Sequence, residues 1–269
     1  MSPTPLVLMY HGFGTRPAEA DPQNLFVPVA DFERQLRLLR RVFRPLDLDG
    51  YIAGWRHGGR WPARSFLLTM DDGYESVLGE AAPLLERYGV PAVAFVCPGR
   101  SGGTSAWMDE TGDERLMTAD QVRLLPGYGV DVGVHGMDHT LLPGLDDEAL
   151  STQVVASRDA LTEILGHAPR AFAYPEGKFD DAAVRAVRDT GYEVAFSVEE
   201  GGDRFTVPRR AINTRDSVVT FGVKLMPGYD RLERMSAGRP AIRRLAALVA
   251  GQRRGPGGGW RGTSGGTGG

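Results

Sequence analysis

Phe66-Leu67-Leu68-Thr69-Met70-Asp71-Asp72-Gly73 is an apolar run that ends in two carboxylates and a glycine. It has the length of a strand, and its hydrophobicity is continuous rather than alternating. That is the pattern of a strand covered on both faces in a parallel sheet. Two like charges at its end are costly unless a cation, a proton or a cationic side chain offsets them. The rest of the chain has to supply that compensation.

Working outward, similar short apolar runs occur at Leu6–Tyr10, Ala92–Val96, Val130–Val134, Ala171–Tyr174, Val194–Ser197 and Val207–Ile212. Amphipathic stretches separate them. Ala30 to Phe43 carries Phe32, Leu36, Leu39 and Phe43 at helical spacing, and Tyr74 to Tyr88 carries Val77, Ala81, Leu84, Leu85 and Tyr88. Thr118 followed by Gln121 reads as a capping box. Asp146 to Leu165 is the longest predicted helix and stops at Gly166, and Asp180 to Thr190 stops at Gly191. Strand–helix alternation of this kind predicts a parallel α/β architecture. The polar residues of interest fall at the C-terminal ends of many different strands. In a barrel those ends form one face, whereas an open sheet gathers a site at one switch point, so a (β/α) barrel is expected.

The 269 residues are 42% hydrophobic, enough for a full core, with a net charge of -3 spread along the chain. That argues against a nucleic-acid binder, which carries a basic face. Cys97 is the single cysteine, so an intrachain disulfide and a thiolate zinc cluster are both excluded; it follows an apolar run and reads as a buried thiol. No apolar run approaches the ~20 residues of a membrane span, and Met1 to Tyr10 lacks a basic leader and a cleavage site. If the chain is complete, the expectation is a cytoplasmic protein without membrane contact. Residues 1–230 are expected to form one catalytic domain, 231–250 a terminal helix and the glycine-rich 251–269 a disordered tail.

His135 and His139 follow the predicted strand Val130–Val134, and a spacing of four lets both imidazoles reach one metal. Such a pair is weak on its own, but these are two of only five histidines. Asp72 supplies a third ligand, and two histidines with one carboxylate leave a position open, as in catalytic zinc sites. Asp71 can then stay ionised beside the cation and act as a base. Read alone, Asp-Asp-Gly is equally a turn or a helix N-cap. His11 also ends a strand and reads as a metal ligand, a general acid or a satisfied core histidine. Arg209 lies in a strand-like segment, where a buried cation needs an acidic partner, and Asp71 is the natural one. The alternative is a solvated arginine. Tyr174-Pro175-Glu176-Gly177 turns sharply after a strand, and such a turn can present an N–H to an oxyanion or be a plain loop. Trp107, in the insert Ser101–Arg115, can stack on a sugar ring or anchor its own loop.

The stretches Thr69-Met70-Asp71-Asp72-Gly73-Tyr74, His135-Gly136-Met137-Asp138-His139 and Tyr174-Pro175-Glu176-Gly177, in this order, resemble the motifs of NodB-type polysaccharide deacetylases. The resemblance runs from about Leu6 to Phe221 and includes Met9-Tyr10-His11, the helix at Phe32–Leu36 and Ala94-Phe95-Val96. It implies a distorted (β/α) barrel and metal-dependent hydrolysis of an N-acetyl group on a sugar or glycoside. It also implies Asp71 as catalytic base and Asp72, His135 and His139 as ligands of a divalent metal, Zn2+ by default with Co2+ or Ni2+ as alternatives. The backbone near Tyr174 and Glu176 would assist the oxyanion.

The chain departs from the family pattern in three places. Met70 stands where phenylalanine is common. Ala173 holds the position of an arginine that orients the base, which Arg209 can replace from another strand. The late leucine-x-histidine motif is missing, since the last histidine is His167, and His11 takes its place as candidate acid. Two other readings stay open: hydrolysis of a non-sugar amide or cyclic imide, and a sugar-binding module without catalysis. The Arg-, Gly- and Ala-rich composition is compatible with a high-GC bacterial source.

Overall fold

The computed structural model describes residues 4–107, 114–198, 201–226 and 228–229. Residues up to Met226 belong to one compact unit. The helix expected over 231–250 and the tail over 251–269 lie outside the described residues. No helix among the described residues is long and apolar enough to cross a membrane.

In chain order the strands and helices are β1 (Leu6–Tyr10), β2 (Gly12–Phe13), β3 (Phe26–Val27), α1 (Val29–Val42), β4 (Arg44–Pro45), α2 (Leu48–Arg56), β5 (Ser65–Met70), α3 (Ala82–Tyr88), β6 (Ala92–Val96), α4 (Ala119–Leu124), β7 (Val130–Val134), α5 (Asp147–Ser151), α6 (Ser157–Leu165), β8 (Ala171–Ala173), α7 (Asp181–Asp189), β9 (Val194–Phe196), β10 (Arg210–Ala211) and α8 (Val218–Lys224). The main sheet is parallel, in the order β10-β1-β5-β6-β7-β8-β9, with β4 beside the start of β5. The segment that begins at Val207 touches both outer strands. Val207 bridges Phe196 of β9, and Arg210 and Ala211 then pair with Leu8 and Met9 of β1. Ser197 N–H donates to Val207 O at 2.8 Å, and Ile212 N–H donates to Met9 O at 2.8 Å. One short segment therefore joins the two edges of the curled sheet, as a barrel requires.

Side chains alternate across the sheet as the period of two demands. Phe66, Leu68 and Met70 of β5 join the cluster packed under the helices, whereas Leu67 joins Val93, Phe95, Ala171, Phe196 and Val207 on the inner side. Every residue of β5 is buried. Thr69 and Asp71 share the inward parity of Leu67, which aims the first carboxylate of the pair into the barrel rather than at solvent.

Helix α2 has no counterpart among the sequence-based elements. Asp47 caps it by accepting from Gly50 N–H at 2.7 Å, and Leu48, Tyr51 and Ile52 are buried beneath the inner cluster. Gly54 interrupts its apolar pattern for a packing reason: a Cβ there would lie 1.9 Å from Nε1 of Trp61. The helices expected over Tyr74–Tyr88 and Asp146–Leu165 are present but interrupted by π-helical turns at Val77–Ala81 and Thr152–Ala156. Just after the first, in the opening turn of α3, Pro83 lacks an N–H, so the regular ladder cannot run through it. The capping box at Thr118 and Gln121 forms as expected.

Candidate active site

The ends of β1, β5 and β7 and the segment before β10 bring His11, Asp71, Asp72, His135, His139 and Arg209 to one place. Asp71 N–H continues the ladder by donating to Tyr10 O at 2.9 Å. Its carboxylate is buried and receives two hydrogen bonds from Arg209, Nη1 to Oδ1 at 2.6 Å and Nη2 to Oδ2 at 2.7 Å. Arg209 is itself held on every side. Nε donates to Ser197 O at 3.0 Å and Nη1 to Thr69 Oγ1 at 3.1 Å, while the guanidinium lies over the rings of Phe95 and Phe196 at 5.6 and 5.9 Å. Thr69 Oγ1 in turn donates to Leu8 O at 2.8 Å. Burial pushes the Asp71 carboxyl up, but the charge of Arg209, followed by His135, outweighs it and holds the group below its ordinary value.

Asp72 and His139 adopt left-handed backbone conformations, with φ of 72° in both. Non-glycine residues there cost of order 1–3 kcal/mol and persist where the surroundings hold them. The strain serves a cluster: Asp72 Oδ1 lies 3.4 Å from Nε2 of His135 and 3.4 Å from Nε2 of His139. His135 Nδ1 lies 2.8 Å from the carbonyl of Ala173, which can only accept, so Nδ1 carries the proton and Nε2 presents its lone pair to Asp72. Cys97 donates its S–H to His135 O at 3.1 Å. Burial, and then the negative charge of Asp72, push the hydroxyl of Tyr74, the residue after Gly73, above its ordinary range.

Does this set fit a metal? Asp72 Oδ1 is buried and has no hydrogen-bond partner, although two imidazole nitrogens face it. The three ligand atoms lie within 4.8 Å of one another. Ligands about 2.0–2.1 Å from a tetrahedral zinc are separated by about 3.3–3.4 Å, which matches both 3.4 Å contacts. A divalent cation would satisfy the orphaned oxygen and both lone pairs. From the protein groups alone, burial pushes Asp72 up, yet the facing imidazoles of His135 and His139 hold it well below its ordinary value. His135 is pulled down by burial but raised overall by Asp71 and Asp72.

His11 stands one residue beyond Tyr10, with a buried Nδ1 that has no hydrogen-bond partner. Burial lowers its pKa, partly opposed by the negative charges of Asp72 and Asp71, so it shares their field.

Of the three residues expected at the substrate or oxyanion position, Tyr174 and Trp107 are engaged by other parts of the protein. Tyr174 is fully buried, its hydroxyl donates to Phe205 O at 3.0 Å and its N–H to Phe196 O at 3.0 Å. Both donors are taken, and the residue packs rather than binds. Glu176 turns its side chain outward to pair with Lys178 at 2.7 Å, on a backbone at φ 53°. Trp107 stacks one indole face on the His139 ring, centroids 4.6 Å apart and 11° from parallel, so that face is closed to a sugar. Its insert folds back through antiparallel bridges from Thr104 to Arg115 and from Tyr74 to Leu116.

The chain belongs to the polysaccharide deacetylase family, whose family model matches residues 58–195. A poly-beta-1,6-N-acetyl-D-glucosamine N-deacetylase of Staphylococcus epidermidis is 26% identical over 254 residues, covering 84% of each chain. The Bacillus subtilis protein YxkH, named for the same family, is 23% identical over 199 residues, 72% of this chain and 64% of its own length; this chain thus spans just under two thirds of that relative. Among solved structures, the Streptococcus pyogenes deacetylase PplD superposes with a TM-score of 0.73 at 21% identity, over 84% of this chain and all of that one. IcaB of Ammonifex degensii gives 0.67 at 22% identity, over 92% and 97%. These two establish the likeness of fold.

Proposed function

We propose that the chain is a metal-dependent N-deacetylase that removes the acetyl group from an N-acetylated amino sugar or glycoside. The observation that carries this reading is a buried carboxylate, Asp71, held ionised by a bidentate arginine next to a His-His-Asp cluster with an orphaned oxygen. Asp72, His135 and His139 would hold a divalent cation, zinc by default with cobalt or nickel admissible, which when bound would supply Lewis-acid polarisation of the acetamide carbonyl and acidify water. Asp71 accepts a proton from the attacking water as its oxygen bonds to the carbonyl carbon. Arg209 fixes both oxygens of Asp71 and keeps it charged until that transfer. His11 gives a proton to the nitrogen as the C–N bond breaks, and acetate leaves with a free amine.

Family membership supports an N-acetylated sugar over other amides. The Staphylococcus epidermidis relative, matched over 84% of both chains, favours an N-acetylglucosamine chain as the substrate class. The test is acetate release and product mass on β-1,6- and β-1,4-linked N-acetylglucosamine oligomers and on small N-acetylated glycosides, with metal content measured on the same sample. Acetate from any of these, abolished by a chelator and restored by Zn2+, is expected. Bound metal with no turnover on acetylated sugars would redirect the reading to a non-sugar amide. Absence of both would leave a sugar-binding module.

A further inference from the structure

Gln153 lies outside every motif of the site, yet its side chain is buried against the loop that carries both histidines. Its Oε1 accepts from Met137 N–H at 2.8 Å, and its Nε2 donates to Asp138 Oδ1 at 2.9 Å. Asp138 Oδ1 also accepts from Thr140 N–H at 3.2 Å and Thr140 Oγ1 at 2.7 Å. One amide thus grips the two residues immediately before His139 and, through Asp138, the residue after it. The fit is close: Gly136 sits at φ 77°, and a Cβ there would lie 3.0 Å from Oε1 of Gln153. From the opposite side, Gly99 N–H donates to Met137 O at 2.8 Å.

The helix that delivers Gln153 is modified at that point. The π-helical turn Thr152–Ala156 separates α5 from α6. Wide turns of this kind disturb the regular ladder and occur often at functional sites. Buried hydroxyls collect the carbonyls of the turn: Ser157 donates to Gln153 O at 2.5 Å, and Tyr192 donates to Val154 O at 3.0 Å. The irregularity is therefore supported by side chains from two elements, and what it presents to the loop is Gln153.

We propose that Gln153 is a positioning residue for the metal site: its amide fixes the Met137–Asp138 backbone and so sets the left-handed conformation and ring direction of His139. This inference rests on the assignment of His135 and His139 as metal ligands. The orientation of the amide is specific, with oxygen toward an N–H and nitrogen toward a carboxylate. A glutamate keeps the first contact but sets a carboxylate against Asp138. A methionine keeps the shape and loses both bonds.

The test uses the full chain stripped of metal. Co2+ binding is followed by its visible absorption spectrum, Zn2+ affinity by competition with a chromophoric chelator, and folding by the melting of the metal-free protein. Gln153→Met and Gln153→Glu are each expected to weaken binding about 10–100-fold, the range for loss of a partner that orients a ligand, and to change the shape of the Co2+ spectrum. If Gln153→Met fails to fold, Gln153→Glu decides. Affinity within threefold of wild type and an unchanged spectrum in the folded single variants overturn the proposal. Wild-type protein that binds no metal overturns the ligand assignment and this inference with it; wild-type protein that binds while the variants bind equally well overturns this inference alone.

Discussion

Arg209 and Asp71, 138 residues apart in sequence, meet in a two-bonded pair at 2.6 and 2.7 Å whose members are both almost fully shielded from solvent. A carboxylate at the end of a buried strand is tolerable only with such a partner. Replacing Arg209 by methionine strips the partner and leaves the buried charge. The expected cost is about 3–5 kcal/mol of stability, read by urea unfolding. Activity is expected to fall as well, because Asp71 loses both its orientation and its reason to be ionised.

Asp71→Asn keeps the shape of the side chain and removes the base. Acetate release is expected to fall by about 10²–10⁴-fold, while zinc content by elemental analysis stays at the wild-type level, because Asp72, His135 and His139 form the ligand set. A variant with near-normal turnover would remove Asp71 from its assigned role.

The Asp71 carboxyl has a folded-state pKa below its unfolded value, so the folded protein binds this proton less readily than the unfolded chain. Its stabilising contribution is full above the unfolded value of about 3.9 and is lost as pH falls through the lower folded value. In metal-free protein, the difference in unfolding free energy between wild type and Asp71→Asn should shrink as pH falls below about 4, beneath the range in which His135, raised by Asp71, takes up its proton. A difference that grows below about pH 4 would contradict the pairing.

Metal binding should be visible from Trp107, whose indole lies 4.6 Å from the His139 ring. Titrating Co2+ into the metal-free chain is expected to quench part of the intrinsic fluorescence. In Trp107→Phe most of that change should disappear, although Trp55, Trp61 and Trp260 still emit. An equal quench in both proteins would separate Trp107 from the site.

Cys97 is buried and donates to His135 O, and burial pushes its thiol well above the ordinary range. A chromogenic disulfide reagent should leave it untouched in the native state and label it fully in denaturant. Rapid native labelling would mean that the floor of the His135 loop opens.

Much of the site is readable from residue types because the chemistry is in the types. A carboxylate pair after an apolar run, two histidines after another and an arginine inside a third each demand a partner, and the parallel barrel brings those demands to one face. Tyr174 was harder, since a free main-chain N–H depends on the path of the backbone, and the strand ladder had already taken its own. Helix α2 was invisible because Gly50 and Gly54 break its apolar period, and Gly54 answers to the indole of Trp61, seven residues on. Gln153 carried no signal at all. A glutamine on a helix reads as surface, and only the π turn and the loop beneath it give the residue a task.

The segment from Val207 to Ala211 joins the first strand of the sheet to the last, and it carries Arg209. Because chains are made from the N-terminus onward, this segment is among the last parts of the sheet to leave the ribosome. Until it docks, Asp71 lacks the guanidinium that holds both of its oxygens. The reactive group is therefore aimed last: the contact that fixes the base belongs to the segment that completes the ring.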